Sequence, residues 1–356
     1  MSVRTLPLAS GILSRSAGAR RFPLVIAGTF VLILLLGLLH IGIGTVRLTP
    51  GEVLAALLDR ASDPLHRQIV WDLRLPRMLI AIVAGAMLGL AGAILQTITR
   101  NPLASPSLTG VSAGGVLIVV IALTYAPRAV GTGPLLPLLA TVGGVATVAL
   151  VYALSWQGGS DPVRLALSGI LVGAIATSMT SLLLVINAQQ IGAVLLWIIG
   201  SLNGRVWVHW AILWPWAVVM IPLGLLSAGM ANALSLGDAV AAGLGQRVER
   251  ARVGLLFVAA LLTAGAVAVV GAIGFIGLIG PHLARRLVGD DARRVFPLSA
   301  LVAAAILLAA DAISQGLTLE FPIGSVTRRA GLPVGALTAL LGAPFFLYLL
   351  LREEQK

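Results

Sequence analysis

The run Gly271-Ala-Ile-Gly274-Phe-Ile-Gly277-Leu-Ile-Gly280-Pro281-His282-Leu-Ala-Arg285-Arg286 spends a glycine at every third position inside an apolar stretch. Glycine serves where backbones bend or approach closely, and a proline beside it removes a helical donor. An ordinary spanning helix needs neither. Irregular backbone at membrane depth is tolerated only where protein buries it or where it lines a cavity. Read this way, Gly271, Gly274, Gly277 and Gly280 are structural glycines of a membrane protein with a pathway.

The rest of the chain agrees. Of 356 residues, 58% are hydrophobic and only 10% charged, and the mean hydropathy is +1.03, outside the range of a soluble domain. Charge-free stretches such as 78–99, 129–160, 165–204 and 253–281 can each supply a span of about 20 residues. The net charge of +11 does not point to nucleic acid, because the arginines stand at the ends of apolar runs, where they set orientation. With no cysteine, disulfides, thiolate metal sites and cysteine nucleophiles are excluded.

These patterns predict an all-α membrane protein with about ten transmembrane helices, near 23–46, 76–98, 108–126, 134–156, 164–187, 208–228, 250–270, 278–288, 296–316 and 334–351. An even count puts both termini on the cytoplasmic side, with a tail over 1–22, a single transmembrane domain over 23–351 and a second tail over 352–356. Arg4, Arg15, Arg20 and Arg21 then share that side with Arg100, Arg164, Arg247, Arg250, Arg285, Arg286, Arg293 and Arg294, as the positive-inside rule requires. Arg74, Arg77, Arg328 and Arg329 fall on the other side and call for another reason.

Two short non-spanning helices are also expected. Thr49-Pro50-Gly51-Glu52 reads as an N-cap, a first-turn proline and a capping-box acid. In the loop from Ser235 to Gly245, Ser235 and Asp238 are expected to start a helix of about two turns, with Gly243 ending it. By topology that loop is cytoplasmic. It suits a plug for a soluble partner or, equally, an ordinary interfacial helix. Gly85 and Gly89 form a small-x-x-x-small packing pair, extended by Gly92.

Candidate chemistry is sparse. A phosphate loop needs a lysine after its glycines, and the single lysine is Lys356; ATP-driven work would need another polypeptide. Asp311 stands inside an apolar run, where an acid is either paired with an arginine or backbone, or is a proton-coupling residue of an ion-driven carrier. His282 has no histidine at ligand spacing. No nucleophile, base and orienter arrangement emerges, which disfavours an enzyme. Arg74-Leu75-Pro76-Arg77 can present two guanidinium forks to a partner's carboxylates, or can snorkel at the interface.

Together these residues resemble the FecCD family, the permease subunits of bacterial ABC importers for ferric siderophores, haem and cobalamin. The resemblance rests on Arg74 to Arg77; Gly85 to Gln96; Arg100-Asn101-Pro102-Leu103-Ala104 with Pro106 and Gly110; Trp197 with Gly200-Ser201-Leu202; Leu236-Gly237 with Leu244-Gly245; Gly271 to Arg285; and Leu332-Pro333-Val334-Gly335 through Gly342-Ala343-Pro344. It implies a permease fold in the inner membrane, paired with a second copy or a related permease around a central pathway. ATPase subunits carrying ATP and magnesium would sit inside and a substrate-binding protein outside, with no catalytic or cofactor site in this chain. The implied cargo is a ferric siderophore or related iron chelate, with haem or cobalamin as the alternative.

Residue by residue, the resemblance assigns Arg74 and Arg77 to docking of the binding protein. Ser235, Leu236, Gly237, Asp238, Ala242, Gly243, Leu244 and Gly245 fall to a coupling helix seated in the ATPase. Asp161, Pro162, Val163 and Arg164 fall to a cytoplasmic gate. The sequence departs from the family at two places. Gln315 stands where the family carries an arginine four residues after the aspartate. The stretch between Asp311 and Pro333 is also longer than usual, and its Arg328 and Arg329 are expected to replace the lost docking arginine.

Overall fold

The computed structural model describes residues 8–60, 63–125, 135–156, 162–187, 191–323 and 326–353. A helix occupies each of the ten expected positions: α1 (Leu8–Gly42), α4 (Leu75–Thr99), α5 (Val111–Tyr125), α6 (Leu135–Ser155), α7 (Pro162–Ile186), α9 (Trp207–Leu226), α12 (Val248–Val270), α13 (Ile276–Val288), α14 (Ala292–Gly316) and α15 (Val334–Glu353). Short helices fill the gaps: α2 (Pro50–Leu57), α3 (Pro64–Gln68), α8 (Ile191–Ile199), α10 (Ala228–Ser235) and α11 (Asp238–Gly243). Among the described residues seven helices are long and apolar enough to cross a membrane; α5 and the apolar part of α15 are shorter, and α13 has only 13 residues. Among the described residues the one departure from an all-α chain is a hairpin, β1 (Thr318–Ile323) antiparallel to β2 (Val326–Gly331). It occupies the extra stretch after Asp311 and sets Glu320 opposite Arg329 and Phe321 opposite Arg328.

Local chemistry explains the ends of several elements. Thr49 and Glu52 close the expected capping box on α2, with Glu52 accepting the Thr49 N–H at 2.7 Å. A π-helical turn over Ile69–Arg74 joins α3 to α4, and the Leu75 N–H bonds back to Val70 O. Pro76, which follows, has no N–H to offer the ladder, and a widened turn is how a helix absorbs that loss. This turn sets the direction in which Arg74 leaves the helix. The expected start of α11 differs. Ser235 closes α10 instead, its hydroxyl donating to Asn232 O at 2.7 Å, and Gly237, at φ 108°, is the N-cap. At the other end α11 stops at Gly243, as expected, and Gly245, at φ 81°, reverses the chain. Gly245 N–H bonds Ala242 O and Gln246 N–H bonds Ala241 O, the paired bonds of a Schellman motif.

The hydrophobic segments sort into a centre and a rim. In the segments ending in α4 and α12, 72% of the most apolar window is buried, and in α14 67%, against 22% in α1 and α9 and 17% in α7. Glycines let the central helices meet backbone to backbone. A Cβ added at Gly89 would lie 2.4 Å from Ser299 O of α14, and one at Gly92 would lie 1.8 Å from Gly277 O of α13.

The glycine run itself leaves α12 at Val270 and re-enters helix at Ile276. Its irregular backbone is satisfied by other chain ends. Ala272 N–H donates to Trp197 O at 2.9 Å and Ser201 N–H to Val270 O at 2.8 Å, and the same loop is tied onward where Gly335 N–H donates to Gly200 O at 3.0 Å. At Gly271, φ is +76° and an added Cβ would stand 2.7 Å from Trp197 O, so this position requires glycine. Gly280 faces Ala303 and Ser299 of α14, with an added Cβ at 2.9 and 3.2 Å. Gly274 is different: a Cβ there meets nothing within 4 Å. The close-packing expectation fails at that position, because the loop carries Gly274 away from its neighbours.

This contrast is testable. A side chain at Gly277 would meet Pro106 at 2.6 Å and Leu88 O at 2.9 Å, so Gly277→Leu is expected to cost at least about 1–3 kcal/mol, the range of an overpacked core. Gly274→Ala should leave thermal stability in detergent unchanged. Equal melting temperatures for both variants would contradict the packing.

Candidate functional site

Polar clusters lie at opposite ends of α4 and α14. At the start of α4, Arg77 donates both forks to Asp311, Nε to Oδ2 at 2.8 Å and Nη2 to Oδ1 at 2.7 Å. His40, in α1, shares a hydrogen bond between its Nε2 and Asp311 Oδ2 at 2.8 Å, and the Gln315 amide lies 2.7 Å from the same histidine nitrogen. Asp311 and His40 are fully buried. One carboxylate therefore gathers α1, α4 and α14. Of the two readings open to Asp311, the bidentate partner answers to the paired acid, since an arginine cannot give up its proton. Gln315 also turns inward to this cluster.

Arg74 is buried as well, at 7% exposure. Its Nη1 donates to Ile41 O at 2.5 Å and its Nη2 to Val46 O, closing the chain that leaves α1. The guanidiniums of Arg74 and Arg77 are thus both engaged within the chain. Arg328 and Arg329 stand on β2 of the neighbouring hairpin.

At the far end of α4 the loop over 235–245 is built around Asp238. The carboxylate, on the first residue of α11, accepts Arg252 Nη2 at 2.8 Å on each oxygen and also pairs with Arg100. Arg100 follows α4 in a left-handed conformation, φ 49°, and also donates to Leu234 O from Nε at 3.1 Å and Nη2 at 2.9 Å. The hydrogen bond from Arg252 is the main reason the Asp238 carboxyl is held below the ordinary carboxylate range; burial opposes it, and Arg100 adds to it. The clamp fixes α11 against α4 and α12.

With Ala241 fully buried beneath it, α11 turns its apolar residues outward. Leu236, Val240 and Leu244, four residues apart, are 59%, 49% and 66% exposed, although they lie between two candidate spans and belong to neither. Gly237, Gly243 and Gly245 have open space where a side chain would be. Beside this ridge runs a groove of about 640 Å3 between α10 and the start of α12, lined by Met230, Leu244, Gln246, Arg247 and Arg250. An exposed apolar ridge with arginines at its margin is suited to receiving another protein.

One contact here had no signal in the sequence. Asn232 of α10 donates to Asp291 Oδ1 at 2.7 Å and accepts Ala292 N–H at 2.7 Å, which stitches α10 to the first turn of α14. For the expected gate, Asp161 lies outside the described residues. Pro162 opens α7, Val163 is exposed, and Arg164 is half-buried and engaged with a neighbour.

The Asp238 clamp gives a pH signature. A carboxyl with a lowered native pKa contributes stability that is fully present above its unfolded value, about 3.9; that stability is lost as pH falls through the native value. The melting temperature of the wild-type chain should therefore exceed that of Asp238→Asn by a constant margin from pH 7 down to about 4, with the gap closing below. A gap that persists undiminished at lower pH would exclude the charged clamp.

Comparison with known proteins places this geometry. The family model for the FecCD transport family matches residues 32–352. The Fe(3+)-citrate import system permease protein YfmE of Bacillus subtilis is 39% identical over 326 residues, covering 92% of this chain and 94% of that protein. The Fe(3+) dicitrate transport system permease protein FecD of Escherichia coli is 38% identical, covering 88% and 93% respectively. Among solved structures, a metal-chelate type ABC transporter in an inward-facing conformation matches with a TM-score of 0.80 and 29% identity, over 93% of this chain and 99% of that one.

Proposed function

This chain belongs to the FecCD transport family, and from that membership we propose that it is the membrane-spanning permease subunit of an ATP-driven importer for a ferric siderophore or a related iron chelate. The observation that carries the reading is the α11 ridge, whose exposed Leu236, Val240 and Leu244 stand outside the candidate spans. A chain that moves cargo with ATP but has no lysine before Lys356 must take its energy from a partner, and this ridge is where that partner would seat. In this reading all ten helices cross or enter the inner membrane, both termini are cytoplasmic, and ATP and magnesium reside on the partner.

The inward-turned arginines refine the docking proposal. Arg74 and Arg77 hold the outer ends of α1, α4 and α14 in place and so shape the surface the substrate-binding protein meets, while Arg328 and Arg329 on the hairpin supply charges to it. The pairing with a second permease draws support from α7, which has large apolar residues exposed along its length together with the hydroxyls of Thr177 and Ser181. Such a mixed face fits a protein partner or a pathway better than lipid alone. Val163 and Arg164, at the inner end of the same helix, would take part in the cytoplasmic gate.

The importer is tested by reconstitution into vesicles. Uptake of a ferric chelate should require the ATPase, the binding protein and ATP, and should survive an uncoupler; uptake abolished by the uncoupler would indicate an ion-driven carrier instead. Reversing the charge of both Arg328 and Arg329 to Glu should weaken capture of the binding protein on immobilised permease by at least about tenfold, as expected for lost steering and pairing charges. Unchanged affinity would remove the hairpin from the docking surface.

A further inference from the structure

We infer that Asn232 is a positioning residue for transport, the link through which a movement of the ATPase-facing segment is delivered to α14. The inference rests on the reading of α10 and α11 as that seat. Its basis is how completely the Asn232 amide is used. The nitrogen donates to Asp291 Oδ1 and the oxygen accepts the Ala292 N–H, each at 2.7 Å. Asp291 is the N-cap of α14, and the same Oδ1 accepts the Arg293 N–H at 3.0 Å. Ala292 is the first residue of the helix, so its N–H has no partner within α14. Asn232 therefore holds both the cap and the first orphan donor, and it grips the helix end in position and in direction.

Apart from this grip the surface that α10 buries is apolar and small. Ala228, Ala231 and Leu234 are the buried residues of α10, and surfaces of this kind can slide past one another. A pair of hydrogen bonds to a helix terminus cannot slide without breaking. The Asp238 clamp ties α11 to Arg100 after α4 and to Arg252 in α12; among the described residues it makes no bond to α14. Asn232 thus reaches the helix that the clamp leaves out.

What lies along α14 gives the link its reach. Twenty residues beyond Asp291, about 30 Å along a helix axis, Asp311 bonds Arg77 of α4 and His40 of α1. Between these points α14 is continuous and mostly buried. A displacement imposed at Asn232 therefore acts on a helix whose other end holds two further helices at the opposite side of the bundle.

The experiment uses the complete importer in proteoliposomes, with chelate uptake and ATP hydrolysis read from the same sample. Asn232→Ala should leave ATPase recruitment and hydrolysis near wild type while uptake per ATP falls by about tenfold, the order of an ordinary site-to-site coupling. Asn232→Asp alone, which sets two carboxylates against each other, should fall at least as far. The exchange Asn232→Asp with Asp291→Asn rebuilds the grip with donor and acceptor reversed: the new carboxylate accepts the Ala292 N–H and an N–H of the new amide, while the Arg293 N–H, which shares Asp291 Oδ1 with Asn232, loses its cap. This double variant should raise the ratio well above that of Asn232→Asp alone. An unchanged ratio in Asn232→Ala would overturn the inference, and so would a parallel fall of hydrolysis and uptake that the exchange does not repair, which marks a merely structural role. If Asn232→Ala fails to assemble, the contrast between Asn232→Asp and the exchange decides alone. A wild-type chain that recruits no ATPase would sink the prior reading instead, and would be recognised as such before any variant is compared.

Discussion

Helices immersed in lipid gain little by hiding apolar surface from one another, so their association depends on how closely their backbones can approach. In this chain α4 is the helix that makes the approach. Gly85 and Gly89 lie against α14, and Gly92 lies against Gly277 of α13 so closely that a single carbon would not fit. The packing of α12 on the same helix completes a buried centre, and α1, α7 and α9 are less buried. Because the central contact is backbone on backbone, it has almost no tolerance, and it holds the ends of α4 and α14 in fixed relation.

The polar clusters exploit that rigidity. A carboxylate sealed inside a membrane protein is costly unless it is paired and fully hydrogen-bonded, and Asp311 receives a bidentate arginine together with a histidine. At the other end Asp238 is more open, and two arginines from separate elements draw it down onto the bundle. The result is a short helix held firmly from below with its apolar residues facing out. In the importer proposed above, that rigidity would let the seat pass a partner's movement on instead of absorbing it. The irregular backbone of the glycine run meets the same demand at the opposite end, where three chain ends exchange hydrogen bonds that none of them could make within a helix.

Much of this was legible in the sequence, because the signals involved are local. Apolar length and flanking arginines located every long helix, the Thr49 and Glu52 pair announced its own cap, and the small-residue spacing of Gly85, Gly89 and Gly92 marked a contact face. Family motifs identified the class of protein. Which side chains meet across the bundle was not legible. Asp238 looked like a helix cap, since an aspartate before an apolar run usually is one, yet its partners stand 138 and 14 residues away. Arg74 and Arg77 looked outward for the same kind of reason: charge at a helix mouth reads as surface until the carbonyls of Ile41 and Val46 claim the one and a buried carboxylate 234 residues distant claims the other.

By itself, then, the sequence determined the membrane class, the positions of the long apolar helices and the stretches where backbone had to be irregular, all properties set within about 20 residues of chain. Only the tertiary structure decided that Gly277 is crowded while Gly274 is free, that Gly245 turns the chain, and that Asn232 holds the start of α14. The physical reason is the range of the interactions. Helix formation and membrane insertion are paid residue by residue along the chain, whereas a hydrogen bond between α10 and α14 exists only once the packing of α4 has fixed where those helices stand.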